Sequence, residues 1–197
     1  MSPLYFYESI PLMPDLTGNR IFLREYTSSD LDMVHQWMSD SEVMKFLSWG
    51  PTKTRDETFI QLADFMRHRF EEDRQGYYWP IVLKSSHQVV GHVDLRWISK
   101  KYGGGDGNVG YFMNRSYWGK GYMTEAVKLV IDFGFSQLGM HKISASCIKG
   151  NIASEKIMIK CGMTKEAEYR EGGIRFDKWV NRLVYAILDS EWKFGKS

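Results

Sequence analysis

The run Tyr111-Phe-Met-Asn-Arg-Ser-Tyr-Trp-Gly-Lys-Gly-Tyr-Met-Thr-Glu-Ala126 changes character twice. It opens as a short strand, turns through glycine and enters a long helix. Gly119 and Gly121 remove two Cβ atoms where the backbone must turn and approach something closely. Behind them, the first-turn N–H groups of the helix lack intrahelical partners, and the helix dipole favours negative charge there. A strand–loop–helix unit of this kind can seat a diphosphate. The dinucleotide fingerprint is excluded because its third glycine is missing, and the nucleoside-triphosphate loop because Lys120 lies between the glycines instead of after them. A tight turn without a ligand stays open on this stretch alone.

Further along, Lys142 to Cys147 reads as a strand. It leads into Asn151-Ile-Ala-Ser-Glu-Lys-Ile-Met-Ile-Lys-Cys-Gly-Met163, a second helix closing on Gly162. Taken with Trp118-Gly-Lys-Gly-Tyr-Met-Thr-Glu-Ala126, this chain resembles the GNAT acetyltransferases, and within them the branch that acetylates the N-termini of ribosomal proteins. Asn151, Ser154, Lys160 and Gly162 meet the branch's later helix, and Glu191-Trp192 its C-terminal pair. The resemblance runs from Arg20 to Trp192. It implies a single-domain α+β fold: a twisted, mixed, mostly antiparallel sheet with helices on both faces. It also implies a split between the strand at Val109–Met113 and the one at Lys142–Cys147. Acetyl-CoA, as co-substrate, would lie in that split. Its diphosphate would rest on the backbone of Trp118, Gly119, Lys120, Gly121, Tyr122, Met123 and Thr124. Its pantetheine arm would pair with the edge of Phe112 and Met113, satisfying strand groups that a splayed sheet leaves unpaired.

The chain departs from the family in places. Trp118 and Met123 replace the outer positions of the broader glycine motif, a small loss if backbone amides hold the diphosphate. Met158 stands where many members carry a tyrosine that hydrogen-bonds the departing sulfur, and a thioether donates no proton. Asn108 stands where many carry glutamate, and cannot act as a base. Asn181 lies where the branch usually has aspartate, which weakens transfer of a fixed acceptor arrangement.

Acyl transfer to an amine needs a route for the amine's proton, stabilisation of the thioester oxygen as it gains charge, and a donor for the thiolate, whose thiol has an unperturbed pKa of about 8.5. A backbone N–H near Phe112–Met113 is placed for the oxygen and Ser154 for the thiolate. Ser154 could instead bond the carbonyl four residues back. Asn151, at the start of its helix, is a candidate for both cap and cofactor contact. His92, Asp94 and Arg96 alternate on one strand face, so Asp94 or His92 could take the proton, directly or through water; a merely paired polar face is the alternative. Glu168 is a further carboxylate in reach, Glu125 is assigned to its helix's first turn, and a dedicated base is not required. His35, His68, His87 and His141 show no metal-ligand spacing, so no metal is expected.

A length of 197 residues suits one domain. The net charge of +2 is too small to argue for nucleic acid or a membrane surface. Only two cysteines, Cys147 and Cys161, are present, which makes a disulfide framework an unneeded device and suits a reducing compartment. With no apolar run of about 18 residues and no basic, apolar leader, a cytoplasmic location is expected. Residues 1–19 read as an arm and 20–197 as the acetyltransferase domain. A strand is expected over Ile21 to Tyr26, then a helix to about Ser39 capped from Thr27-Ser-Ser-Asp30. A capping box at Thr54 and Glu57 opens a second helix to about Asp73. Strands follow over Tyr78 to Lys84 and Val89 to Ile98, and a flexible connection over Tyr102 to Gly107. Met33, Met38, Met44 and Met66 are assigned to helix packing.

Trp49, Tyr77, Tyr78 and Trp79 fall where relatives build the acceptor cleft. The expected activity is N-acetylation of a primary amine by direct transfer in a ternary complex. The acceptor is either a protein α-amine or a small molecule such as an antibiotic, polyamine or amino-acid derivative. A CoA-binding module without turnover is a third possibility, and either a monomer or a homodimer is compatible with the chain.

Overall fold

The computed structural model describes residues 13–47, 49–71, 73–101, 104–175 and 177–193. The first twelve residues of the expected arm, part of the Tyr102–Gly107 connection and the last four residues lie outside that set. Strands β1 (Leu16–Thr17), β2 (Ile21–Leu23), β3 (Gly76–Leu83), β4 (Val89–Ser99), β5 (Asp106–Met113), β6 (Lys142–Ile148), β7 (Thr164–Arg175) and β8 (Lys178–Leu188) form one sheet in the order β1-β2-β3-β4-β5-β6-β8-β7. Every pairing is antiparallel except β5 with β6.

Helices α1 (Leu31–Met38), α2 (Ser41–Met44) and α3 (Arg55–Arg67) cover one face, and α4 (Tyr122–Ser136) and α5 (Ile152–Lys160) the other. Helix α4 buries Met123, Ala126, Val127, Val130, Ile131 and Phe133, a 3–4 spacing that lays one apolar stripe on the strands. Val93, Leu95 and Val109 meet it from β4 and β5. On the opposite face Val34, Trp37, Met38, Met44 and Leu62 pack against Val82, Val89 and Phe112, with Met33 and Met66 at the margin. The two clusters follow from strand alternation, which sends successive side chains to opposite faces.

Several expected elements are shorter than read, and others were missed, the short strand β1 within the expected arm among them. The first strand stops at Leu23 because Arg24 and Thr27 turn to Asp30: the Arg24 guanidinium makes two bonds to its carboxylate, and the Thr27 N–H a third. The Thr54 cap on Glu57 is present, yet α3 gives way to a 3-10 turn at His68. The short helix α2 and the whole of β7 went unread. Almost every β7 residue is at least partly exposed, so it carries no buried apolar alternation to mark it. Cys147 and Cys161 are both free and buried. No helix among the described residues is long and apolar enough to cross a membrane.

Candidate active site

The sheet splits where the pairing of β5 and β6 ends. Residues Asp106, Gly107 and Asn108 pair with Lys142, Ile143 and Ser144, after which the strands part. Asn108 locks the fork: its amide nitrogen donates to the Ser144 carbonyl and hydroxyl at 3.3 and 3.2 Å, and its oxygen accepts from Arg96 at 3.3 Å. Beyond the fork, β5 keeps only β4 as a neighbour. The Asn114 N–H donates to Val90 O, and the register pairs Phe112 with His92. Backbone groups of Phe112 therefore point into the ladder, and those of Val109, Tyr111 and Met113 face the split. This corrects the expectation for Phe112: the free edge belongs to Tyr111 and Met113. The Met113 carbonyl is itself engaged by the Trp118 indole N–H at 2.7 Å, leaving its N–H.

Two helix N-termini face this edge and are finished differently. Helix α5 is capped by Asn151, whose Oδ1 accepts from the Ser154 N–H at 3.2 Å. Helix α4, the longest, has Gly121 at its cap and no side-chain cap. Its ladder starts with Glu125 N–H on Gly121 O, so the amides of Tyr122, Met123 and Thr124 precede it with no side chain to satisfy them. Gly119 and Gly121 have φ of +74° and +81°. A Cβ at Gly119 would touch nothing, so the requirement there is backbone conformation rather than space. Such an uncapped N-terminus beside an unpaired strand edge fits the diphosphate and amide arm of acetyl-CoA.

Ser154 faces the split, but its partner was not foreseen. Its hydroxyl lies 3.0 Å from the Tyr111 hydroxyl, which also donates to the Ser154 carbonyl at 3.1 Å. The bond to the carbonyl four residues back is not the one made. Tyr111 brings from the strand a phenol that α5 lacks, since Met158 there is fully buried in the core. Burial raises the Tyr111 pKa, so the phenol stays protonated as a donor. The signal available in the sequence was alternation: Tyr111 shares a face with Val109, directed at α4 and α5. Burial also pushes the neighbouring Cys147 and Cys161 thiols up to about 11 and about 12, leaving them unreactive.

On the other face His92, Asp94 and Arg96 form a connected polar group. Asp94 Oδ1 accepts from Arg96 Nε at 2.6 Å and Oδ2 lies 3.2 Å from His92 Nε2; His92 Nδ1 lies 2.9 Å from the Tyr26 hydroxyl. The two ring nitrogens of His92 thus bridge Tyr26 and Asp94. Burial opposes the charge on Asp94, but the His92 and Arg96 interactions outweigh it and lower its pKa. A Cβ on Gly110 would come within 2.5 Å of Asp94 Oδ2, so the missing side chain makes room for the carboxylate over β5. His92 is 1% exposed and stacked between Phe65 and Phe112, with centroids 4.5 and 4.7 Å away, so it cannot reach an acceptor. Glu168 is likewise committed: bonds from Lys149, Asn181 and Lys165 hold its pKa down at about 2. Glu125 is bound by Arg20 rather than acting only on its own helix.

Of the four aromatics expected at the acceptor cleft, Trp49 and Tyr78 lie on this face. Trp49 sits edge-on to Phe112, and Tyr78 stacks on Phe65. Tyr77 and Trp79 instead pack with Phe133 of α4 in the opposite core. The sequence blurred them because neighbours along a strand alternate. Among the described residues no group of His, Cys, Asp and Glu is arranged to hold a metal ion.

Residues 20–164 match the Acetyltransferase (GNAT) domain family, and the chain belongs to it. It is an acetyl-CoA-dependent N-acetyltransferase. The chain is 28% identical to the N-acetyltransferase YnaD of Bacillus subtilis over 177 residues, covering 90% of this chain and 98% of that protein. It is 26% identical to the spermidine N(1)-acetyltransferase of Escherichia coli over 177 residues, covering 89% and 90%. Among solved structures, the GNAT-family acetyltransferase of Bacillus anthracis superposes with a TM-score of 0.79 at 28% identity, covering 90% of this chain and all of that one.

Proposed function

We propose that the chain acetylates the α-amine of a peptide or protein, which reaches the split from the α1–α3 face while acetyl-CoA occupies the α4–α5 side. The observation that carries this reading is Asp94, a buried carboxylate beside Gly110 in a wall of Tyr26, Phe65, Tyr78 and Phe112. Its lowered pKa makes it a weak base and a good acceptor for an incoming ammonium. The bound ammonium gives one proton to water, and the neutral nitrogen attacks the thioester carbonyl carbon. As the C–S bond breaks, the amide nitrogen sheds its second proton to solvent. That proton returns through water to the departing thiolate, which accepts a hydrogen bond from Ser154, backed by Tyr111.

A polyamine acceptor has the spermidine relative in its favour. Such a substrate needs several uncompensated carboxylates, however, and on this side Glu25, Asp30 and Asp40 already lie against Arg69, Arg24 and Arg115, which leaves Asp94, itself shared with Arg96, to meet a single ammonium. The test is release of CoA thiol from acetyl-CoA against free-α-amine peptides, spermidine, amino acids and aminoglycosides. Release with the peptides alone is the expected result; preferential turnover of spermidine would overturn the assignment.

A further inference from the structure

We propose that Arg20, outside the glycine loop and about a hundred residues before it, is a positioning residue for the cofactor's diphosphate. The inference rests on reading Gly119 to Thr124 as the diphosphate seat. A loop with two glycines is conformationally free, so its amides converge on an anion only if something holds them. Arg20 touches the loop and the first turn of α4 behind it at four points. Its Nη1 donates to the Lys120 carbonyl at 2.9 Å. Its Nε donates to Glu125 Oε2 at 2.9 Å, and its backbone N–H to Glu125 Oε1 at 2.8 Å. Its guanidinium lies over the Tyr122 ring, 4.8 Å from the centroid.

Two consequences follow from this geometry. The Lys120 carbonyl and the Gly121 N–H share one planar trans peptide and point in opposite directions. Holding the carbonyl on Arg20 therefore fixes where the Gly121 amide points. The second consequence is electrostatic. Glu125 stands in the first turn of α4, where its charge favours the helix but would repel an arriving diphosphate. The Arg20 guanidinium on Oε2 and the Arg20 backbone N–H on Oε1 offset that charge, so the helix terminus presents its positive end with less competition from a neighbouring anion. The Nη2 edge lies 3.3 Å from where a Gly121 Cβ would stand and has no hydrogen-bond partner among the described residues.

The experiment is calorimetric titration of the full chain with acetyl-CoA and, separately, with acetyl-pantetheine, which lacks the diphosphate. Arg20→Met should weaken acetyl-CoA about tenfold and leave acetyl-pantetheine within about twofold of wild type. Adding Glu125→Gln to Arg20→Met should recover about threefold of the loss, because the exposed repulsive charge is removed. Arg20→Lys, which keeps the charge without the fork, should fall between wild type and Arg20→Met and serves if the methionine variant does not fold. Unchanged acetyl-CoA affinity in Arg20→Met overturns the proposal. So does a parallel loss for both ligands, which would make Arg20 a support of the fold alone. A wild type that binds both ligands equally removes the diphosphate reading itself, and the positioning role with it.

Discussion

Strands β4 and β5 present one face to α4 and the other to α1 and α3, and the two faces are finished in different ways. Toward α4 the surface is Val93, Leu95 and Val109 under an apolar helix stripe. The functional groups there are mostly main-chain: edge amides of β5 and the uncapped amides of α4. Toward α1 and α3 the surface is a polar relay, Tyr26–His92–Asp94–Arg96, set among aromatic rings. On the proposed reading, the cofactor side works through backbone placed by glycine, the acceptor side through side chains whose charge depends on their neighbours. Main-chain groups bind any ligand of the right shape and charge. A relay of titratable side chains discriminates among acceptors, because each unpaired polar atom left in it is costly.

Mutations should separate the two faces. The largest effect is expected for Gly121→Val, which forces a β-branched residue to a φ of +81°. Strain of about 2–3 kcal/mol should weaken acetyl-CoA by roughly 30- to 150-fold in calorimetry. A variant that bound normally would break the claim that this face acts through backbone conformation. Next is Asp94→Asn, which should lower kcat/KM for the amine about 30-fold, a loss of about 2 kcal/mol, with acetyl-CoA affinity unchanged. Weakened acetyl-CoA binding would instead mean that the two faces are not separable.

Ser154→Ala and Tyr111→Phe should each lower kcat about tenfold without changing acetyl-CoA affinity, and the double variant should lose little more, since both serve one proton. Additive losses in steady-state kinetics would show two independent roles. The acceptor face should also have its own acid sensitivity. The folded-state pKa of Asp94 lies below its ordinary 3.8. Its ionised form therefore stabilises the fold above that pH, and the contribution is lost as pH falls through the lowered value. Wild type should exceed Asp94→Asn in urea midpoint at about pH 5, with the gap closing toward about pH 3. A constant gap would place the stabilisation elsewhere. The smallest effect is expected for Trp118→Phe. It removes the indole bond to Met113 O, and acetyl-CoA affinity should shift by less than about threefold.

Local patterns carried much of this into the sequence. Strands β3 and β4 were legible from the Ser85–Gln88 turn between them and from His92, Asp94 and Arg96 alternating against Val93 and Leu95, and α3 from the helical spacing of Phe59, Leu62, Ala63 and Met66. The glycine loop was legible because positive φ restricts residue choice. The places of Asn151 at the cap of α5 and of Ser154 in its first turn were legible through the family motif. Tyr111 was passed over although its own strand was read, because its value lies in a hydroxyl met across the split, 43 residues later in the chain. His92 and Glu168 were offered as proton acceptors because sequence shows that a residue can titrate but not what surrounds it; three partners hold Glu168 and two rings enclose His92. The exposed strand β7 left no periodic trace at all.

By itself the amino-acid sequence marked most of the strands and helices and a glycine-led helix terminus suited to an anionic group, through short-range rules: side-chain period, capping and backbone freedom. The split sheet came from the resemblance to the GNAT family. Tertiary structure alone decided which strand residues open onto the split, which carboxylate is buried between His92 and Arg96, and which arginine bonds the glycine loop. Those outcomes depend on hydrogen bonds and ion pairs between residues far apart in the chain, whose strength is set by burial and by partners that only folding brings together.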